Sequence, residues 1–417
     1  MSIRRVAALV AVVPVLACGD ATSDWAGTVV DSAGIAVVQN PVEGLWGPED
    51  AWTVVEELSV GMLEGEDVYQ FGQIIGVDVD ADGNVYIADG QVQDVRVFDA
   101  TGSYVRTIGS SGSGPGELGL GMQGVFVVGD EVVVPDVGNQ RISRFSRSGE
   151  FIGSQRMDLL RGVPLRWDMA SEGRLVVQRR YLNPADTATG PRGDPITTVA
   201  FEGRASDTLA AKGGAPDTVA VLPPGESLQI VGGQVRRRIF DPEPIWDADP
   251  DGRLLTARNN AMRFEVWGGD GSLQRVITFP REPKALTERD QQVFIDALTE
   301  AARQQGATPQ QLEAFLQQLS FADHYPAFVS LALGPLESVW AQRFLSGDEL
   351  AGDEGTFNIQ DLGSSTWDVF DAEGRYLGPV TFPGKYQPIR AIGDRFYGIA
   401  RDELDVQSLK VYRIEMG

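Results

Sequence analysis

The sequence predicts an all-β protein closed into a six-bladed propeller, and three observations carry that expectation. A unit of short alternating strands joined by glycine turns recurs along most of the 417 residues. The last unit is one strand short. Residues 52–60, WTVVEELSV, have the composition to supply that strand from the other end of the chain. The unit is clearest at GVDVDADGNVYIAD (76–89), followed by 94–99 and 103–108, with turns at Asp82-Gly83 and Thr101-Gly102. First turns recur at Gly83, Gly129, Gly173, Gly252, Gly334 and Gly393. Turns between third and fourth strands follow at Gly102, Gly149, Gly203, Gly271 and Gly374. The sixth unit has strands near 388–392, 395–400 and 409–414, and there the sequence stops. A ring completed by 52–60 leaves no exposed end blade to aggregate.

The remaining elements are read in chain order. MSIRRVAALVAVVPVLAC opens with Arg4 and Arg5, then an apolar run over 6–16 that suits a signal peptide and is too short to span a bilayer. It ends in VLAC (15–18), which resembles the lipobox of bacterial lipoproteins. The resemblance implies cleavage after residue 17 and acylation of Cys18, the single cysteine of the chain. Residues 18–50 read as a polar tether, a hairpin signal over 28–38 and a loop; residues 51–417 form the propeller. Residues 183–240 stretch the third blade and its exit.

Between blades four and five, 284–326 changes to helical periodicity. Leu286, Val293, Phe294, Ala297, Leu298 and Ala301 keep one face, with Thr287 as cap and Gly306 as stop. Thr308-Pro309 starts a second helix with Leu312, Phe315, Leu316 and Leu319 on one side. This helical hairpin either packs on the propeller as a lid or docks a partner.

VPDVGNQRISRF (134–145) followed by SGEF (148–151) resembles an NHL repeat, and blade one is similar. GSSGSGPGEL (109–118) resembles the glycine-rich link between blades of six-bladed NHL-like propellers. SVWAQ (338–342), WDVFDAEG (367–374) and IARD (399–402) look like bacterial envelope lipoproteins of that group. The resemblance covers roughly residues 50–417 and implies a fold more than a reaction.

Composition narrows the chemistry. Asp and Glu number 59 against 35 Lys and Arg, a formal charge of −24, which excludes a nucleic-acid surface. One Cys and one His exclude an internal disulfide and the usual zinc shells. DVDADGN (78–84) with Asp89 matches a calcium loop in spacing, but the repeat register makes Gly83 a hairpin turn and 85–88 a strand. No Gly-Lys-Ser/Thr follows the glycine-rich 109–116, so no phosphate loop is expected, and His324 reads as structural.

Counting five residues back from each first-turn glycine reaches Asp78, Gly124, Asp168, Asp247, Val329 and Pro388. One step earlier stand Val77, Gln123, Trp167, Trp246, Phe328 and Gln387. First strands line the axial channel, so Asp78, Asp168 and Asp247 form a candidate channel site. Their charges need a cation, an arginine or a proton. Alternatively each caps neighbouring backbone or pairs with an arginine such as Arg166 or Arg258. Trp167 and Trp246 are candidate sugar-stacking rings, or inter-blade packing.

These readings describe a lipid-anchored binding module of the bacterial cell envelope, a monomer held to the membrane by its anchor and facing an envelope protein, peptide or glycan. No catalytic residue, metal or cofactor is assigned. The alternative is a calcium-dependent lactonase-type propeller using Asp78, Asp168 and Asp247. The address is tested by Cys18→Ser: the variant is expected to leave the membrane fraction for the soluble envelope fraction, and retention without acylation contradicts the anchor.

Overall fold

The computed structural model describes residues 25–47, 49–157, 159, 162–169, 174–180, 194–200, 218–223, 228–231, 234–304, 306–345 and 362–417. Cys18, Gly173 and Gly203 lie outside them. Ahead of the ring come β1 (Thr28–Ser32), β2 (Ile35–Gln39) and β3 (Thr53–Val60). Blade one holds β4 (Ile74–Val79), β5 (Val85–Asp89), β6 (Asp94–Phe98) and β7 (Tyr104–Ile108). Blade two holds β8 (Phe126–Val128), β9 (Glu131–Asp136), β10 (Arg141–Ser146) and β11 (Phe151–Arg156). Blade three holds β12 (Val163–Met169), β13 (Arg174–Arg180), β14 (Asp194–Ala200) and β15 (Thr218–Leu222).

A hairpin of β16 (Leu228–Val231) and β17 (Gln234–Ile239) precedes blade four, which is β18 (Pro244–Ala248), β19 (Leu254–Arg258), β20 (Arg263–Trp267) and β21 (Leu273–Thr278). Then come α1 (Glu288–Gln304), α2 (Pro309–Leu316) and β22 (Leu319–Phe321). Blade five is β23 (Leu331–Leu333), β24 (Val339–Phe344), β25 (Gly363–Phe370) and β26 (Tyr376–Thr381). Blade six is β27 (Lys385–Ile392), β28 (Arg395–Arg401), β29 (Gln407–Glu415) and, as its outer strand, β3. Pairing runs antiparallel from Leu409 opposite Val60 to Glu415 opposite Thr53.

Each blade is covered on both faces, which explains its nearly continuous apolar strands. In β5, Val85 and Ile87 face the seam with blade six, while Tyr86 and Ala88 face blade two. Six apolar clusters among the described residues fill the six seams in this way. The seam between blades six and one includes Val60 of β3 beside Leu409, Val77 and Phe98. Near the axis the first strands of blades one and two close in tightly: a Cβ on Gly76 would stand 2.7 Å from Gly124 Cα.

Two features go beyond the blade repeat. The N-terminal hairpin does not hang free: β2 lies parallel to β21 and widens blade four to six strands. Asn40 then stitches blade four to blade five. It donates to the Thr278 and Gly374 carbonyls (3.2 and 2.9 Å) and accepts from the Tyr376 amide (2.6 Å). The Leu45 and Trp46 amides bond the backbone of β26, and Trp46 packs on Trp52 with centroids 5.4 Å apart. One segment therefore belts the outer edges of blades four, five and six.

The second feature is a cap. The helices form where expected, with Thr308 and Gln311 making a reciprocal capping box. Leu319, expected on the second helix, instead begins β22, because the helix ends at Leu316 and β22 pairs with β17. Phe294, Leu286 and Tyr325 bury the apolar stripe together with Leu362, while Phe240, Phe321 and Phe344 pack against them.

Closure depends on β3, so Leu58→Pro, which removes a donor and distorts the strand opposite Val411, should open the ring. A fall in melting temperature of roughly 5 °C or more is expected, with exposure of apolar seam surface. An unchanged melting temperature would mean that the blade holds without this strand.

Candidate functional site

Asp78, Asp168 and Asp247 lie on the first strands of blades one, three and four, all buried. Two arginines knit them together. Arg390, on β27 and buried, places Nη1 3.0 Å from Asp168 Oδ1 and Nε 3.3 Å from Asp78 Oδ1, the second contact without hydrogen-bond alignment. Arg166 Nη2 stands 2.8 Å from Asp247 Oδ1 and 3.6 Å from Asp168 Oδ2. The Arg166 guanidinium also donates to the Trp246 carbonyl and lies over the Trp246 ring, 4.7 Å from its centroid.

Backbone amides complete the set. The Val127 amide of blade two donates to Asp78 Oδ2 (2.7 Å), and the Leu333 amide of blade five donates to Asp247 Oδ2 (2.8 Å). Asp78 Oδ1 also accepts from Val79 and Asp168 Oδ1 from Met169. Each of the six carboxylate oxygens thus faces a guanidinium or an amide. A cavity at the axis beside Asp247, Ala248, Leu333, Arg390 and Ala391 has a volume of about 10 Å³, no more than a water needs.

Three buried carboxylates face two guanidiniums, Arg390 buried and Arg166 partly exposed, a formal excess of one negative charge. Burial, reinforced by neighbouring Asp168, pushes Asp247 up to about 7. Burial also raises Asp78 against the pull of Arg390 and two amides. Burial by itself would discharge Arg390, but Asp78, Asp168 and Asp247 more than offset it and hold its proton.

The two readings of the aspartates meet here. They converge on the axis, and arginine and backbone satisfy them. Arg166 is one partner; the other is Arg390 rather than Arg258. Counting from turn glycines hid Arg390. Gly83 and Gly252 stand fourth in five-residue turns between paired strands, whereas Gly129, Gly334 and Gly393 stand first in theirs. Measured from the last paired residue, the ring-mates of Asp78 are Val127, Ala332 and Ala391, not Gly124, Val329 and Pro388. An irregularity in β27 between Pro388 and Arg390 then turns the arginine inward.

The tryptophans are packing residues in this geometry. Trp167 fills the seam between blades two and three, Trp246 that between three and four, and both are buried. Their indole N–H groups donate to Gln123 (2.6 Å) and Gln178 (2.8 Å), and because the rings are buried among seam side chains neither offers a free face to a sugar. The calcium-loop spacing resolves as a turn: Asp80 accepts from the Asp82 and Asn84 amides and from the Tyr86 hydroxyl, while Asp89 anchors the Gly72 and Gln73 amides. His324 is exposed and sits in an isolated bridge with Ala285.

The family model DUF5128, a 6-bladed beta-propeller, matches residues 53–170. Among solved structures, a member of the duf4221 family from Bacteroides vulgatus is 13% identical with a TM-score of 0.53, covering 88% of this chain and 99% of its own. A candidate exported protein from Bacteroides fragilis is 12% identical (TM-score 0.49, 87% and 95% covered). Virginiamycin B lyase from Staphylococcus aureus is 10% identical (TM-score 0.43, 88% and 100% covered). What is shared is the fold. No curated protein matches the chain by sequence.

Removing one member of such a cluster leaves an uncompensated buried charge, so Arg390→Met should cost about 3–5 kcal/mol in denaturant unfolding near neutral pH. The cost should shrink in acid as the carboxylates protonate. For Asp247 the folded state binds its proton more tightly than the unfolded chain does. Its contribution is therefore present below about pH 4 and lost as pH rises through about 7. The stability difference between wild type and Asp247→Asn should fall across that window; a difference that rises with pH contradicts the assignment.

Proposed function

We propose that this protein is a lipid-anchored propeller of the bacterial cell envelope that acts by binding a protein, peptide or glycan on its surface. The observation that supports it most is the axial cluster. Where a propeller enzyme needs an open site, the first strands here carry three buried aspartates whose oxygens already face guanidiniums and backbone amides. The lipobox-like residues 15–18 support the address, and among the described residues no helix is long and apolar enough to cross a membrane. An acidic body is repelled by anionic lipid, so the acyl chains rather than the protein surface would hold it there.

The calcium-lactonase alternative fits these residues poorly. A hard cation needs oxygens free to turn toward it, and those of Asp78, Asp168 and Asp247 already face amides and two positive guanidiniums. Among the described residues no group of three or more His, Cys, Asp or Glu side chains is arranged to hold a metal.

The test is calcium titration of the anchorless protein, followed by thermal melting and by hydrolysis of a simple aliphatic lactone. No calcium-dependent stabilisation and no hydrolysis above background are expected. A saturable rise in melting temperature that Asp168→Asn abolishes would overturn the reading in favour of the enzyme.

A further inference from the structure

First strands run from one end of the ring to the other. The aspartates sit where they leave, next to the turns into second strands. The opposite end carries the links between blades and the turns from second to third strands. Over blades four and five that end bears the cap, since 279–330 leaves β21 and returns at β23. Over blades six, one and two it is formed by 402–406, 61–73, 90–93, 110–123 and 137–140.

These segments make one continuous surface, because each is tied to the next. Gln407, next after 402–406, accepts at Oε1 from the amide of Ile74, next after 61–73 (2.6 Å), and Gln73 O accepts from the Gly90 amide (2.8 Å). Ser111 Oγ donates to Gln93 (2.7 Å), Asn139 Nδ2 to Gly112 O (2.9 Å), and the Val137 amide to Gly121 O (3.1 Å).

Two properties coincide on it. Large apolar side chains stand in water: Leu404 is 73% exposed, Leu120 72% and Leu63 57%, with Met62 and Val92 beside them in the same segments. The five segments also contain Glu64, Glu66, Asp67, Glu117, Asp402, Glu403 and Asp405, and no Lys or Arg. Basic groups border these segments rather than lie within them: Arg401 pairs with Asp405 (2.9 Å), Arg141 donates to the carbonyls of Ser113, Gly114 and Glu117, buried Arg96 donates to those of Asp67, Val68 and Gln70, and Arg156 and Lys385 stand opposite Arg141 and Arg401 on neighbouring strands. Within the segments the charge beside the exposed leucines is of one sign, which favours a partner of the opposite sign.

We propose that this end, which the described residues leave uncapped over blades six, one and two, docks a cationic amphipathic polypeptide segment, its apolar side chains on Leu63, Leu120 and Leu404 and its basic ones on the acidic residues beside them. The inference rests on the surface-binding reading and gives it a partner class. Apolar contact supplies affinity; the acidic residues steer the partner and disfavour anionic membrane.

The probe is a short amphipathic helix of leucine and lysine, labelled for fluorescence anisotropy and titrated with the anchorless protein. Polylysine and anionic vesicles run in parallel. Saturable binding is expected, with Leu63→Ser/Leu404→Ser and Glu64→Gln/Glu66→Gln/Glu403→Gln each weakening it by about tenfold or more. Neutralising the exposed Glu43, Glu49 and Glu282 elsewhere should change it little. Equal losses in these and the control variants, equal binding of polylysine, or preference for anionic vesicles would each overturn the proposal. Those results leave the surface-binding reading standing, because that reading fails only on calcium-dependent stabilisation and lactone hydrolysis. All substituted side chains are exposed, and matched melting curves separate lost binding from lost folding.

Discussion

A single guanidinium on the axis orders much of this molecule. Arg390 comes from the sixth blade and meets Asp78 of the first and Asp168 of the third, while Arg166 carries the connection on to Asp247 of the fourth. Arg166 and Asp168 share a strand, but Arg390 lies more than two hundred residues from Asp168 and more than three hundred from Asp78, so its two contacts are realised only when the sixth blade meets the first. Burying such charges gains little net stability, since desolvation offsets most of the attraction. What the network contributes is register. The aspartates of blades one and four each accept an amide of the following blade, which fixes how first strands stack around the axis.

The energy of folding lies elsewhere, in the six seams. Strands buried on both faces send alternate side chains into adjacent seams, so each blade is glued to two neighbours and ring closure completes the last one. The N-terminal belt reinforces the same half of the ring. It covers the outer edges of blades four and five and then becomes the outer strand of blade six, so edges otherwise open to foreign strands are occupied by the chain itself. With the cap over blades four and five, the exposed apolar side chains of the links collect over blades six, one and two.

Much of this was legible in the sequence because its signals are local. Turn glycines mark hairpins, Thr308-Pro309 marks a helix start, and period-two alternation marks strands. The incomplete sixth unit pointed to 52–60. What stayed hidden depends on distance or on exact turn geometry. The parallel docking of β2 on β21 joins segments more than two hundred residues apart, and nothing in 35–39 names its partner. Arg390 was missed because glycines occupy different places in turns of different length, so aligning blades on them shifted three of the six by several positions. The aspartates were found, but their partners could be weighed only in three dimensions. The tryptophans adjoining two of them pointed equally to a sugar platform and to a seam, and burial favours the seam.

Arg390 and Asp168 act as one unit across the axial channel. A double-mutant cycle measures this directly: unfolding free energies of wild type, Arg390→Met, Asp168→Asn and the double variant at neutral pH. A coupling of about 1–3 kcal/mol is predicted, with the double variant losing far less than the two single losses combined. Strictly additive losses would mean that the two residues do not act together and would reduce the axial network to a coincidence of neighbours.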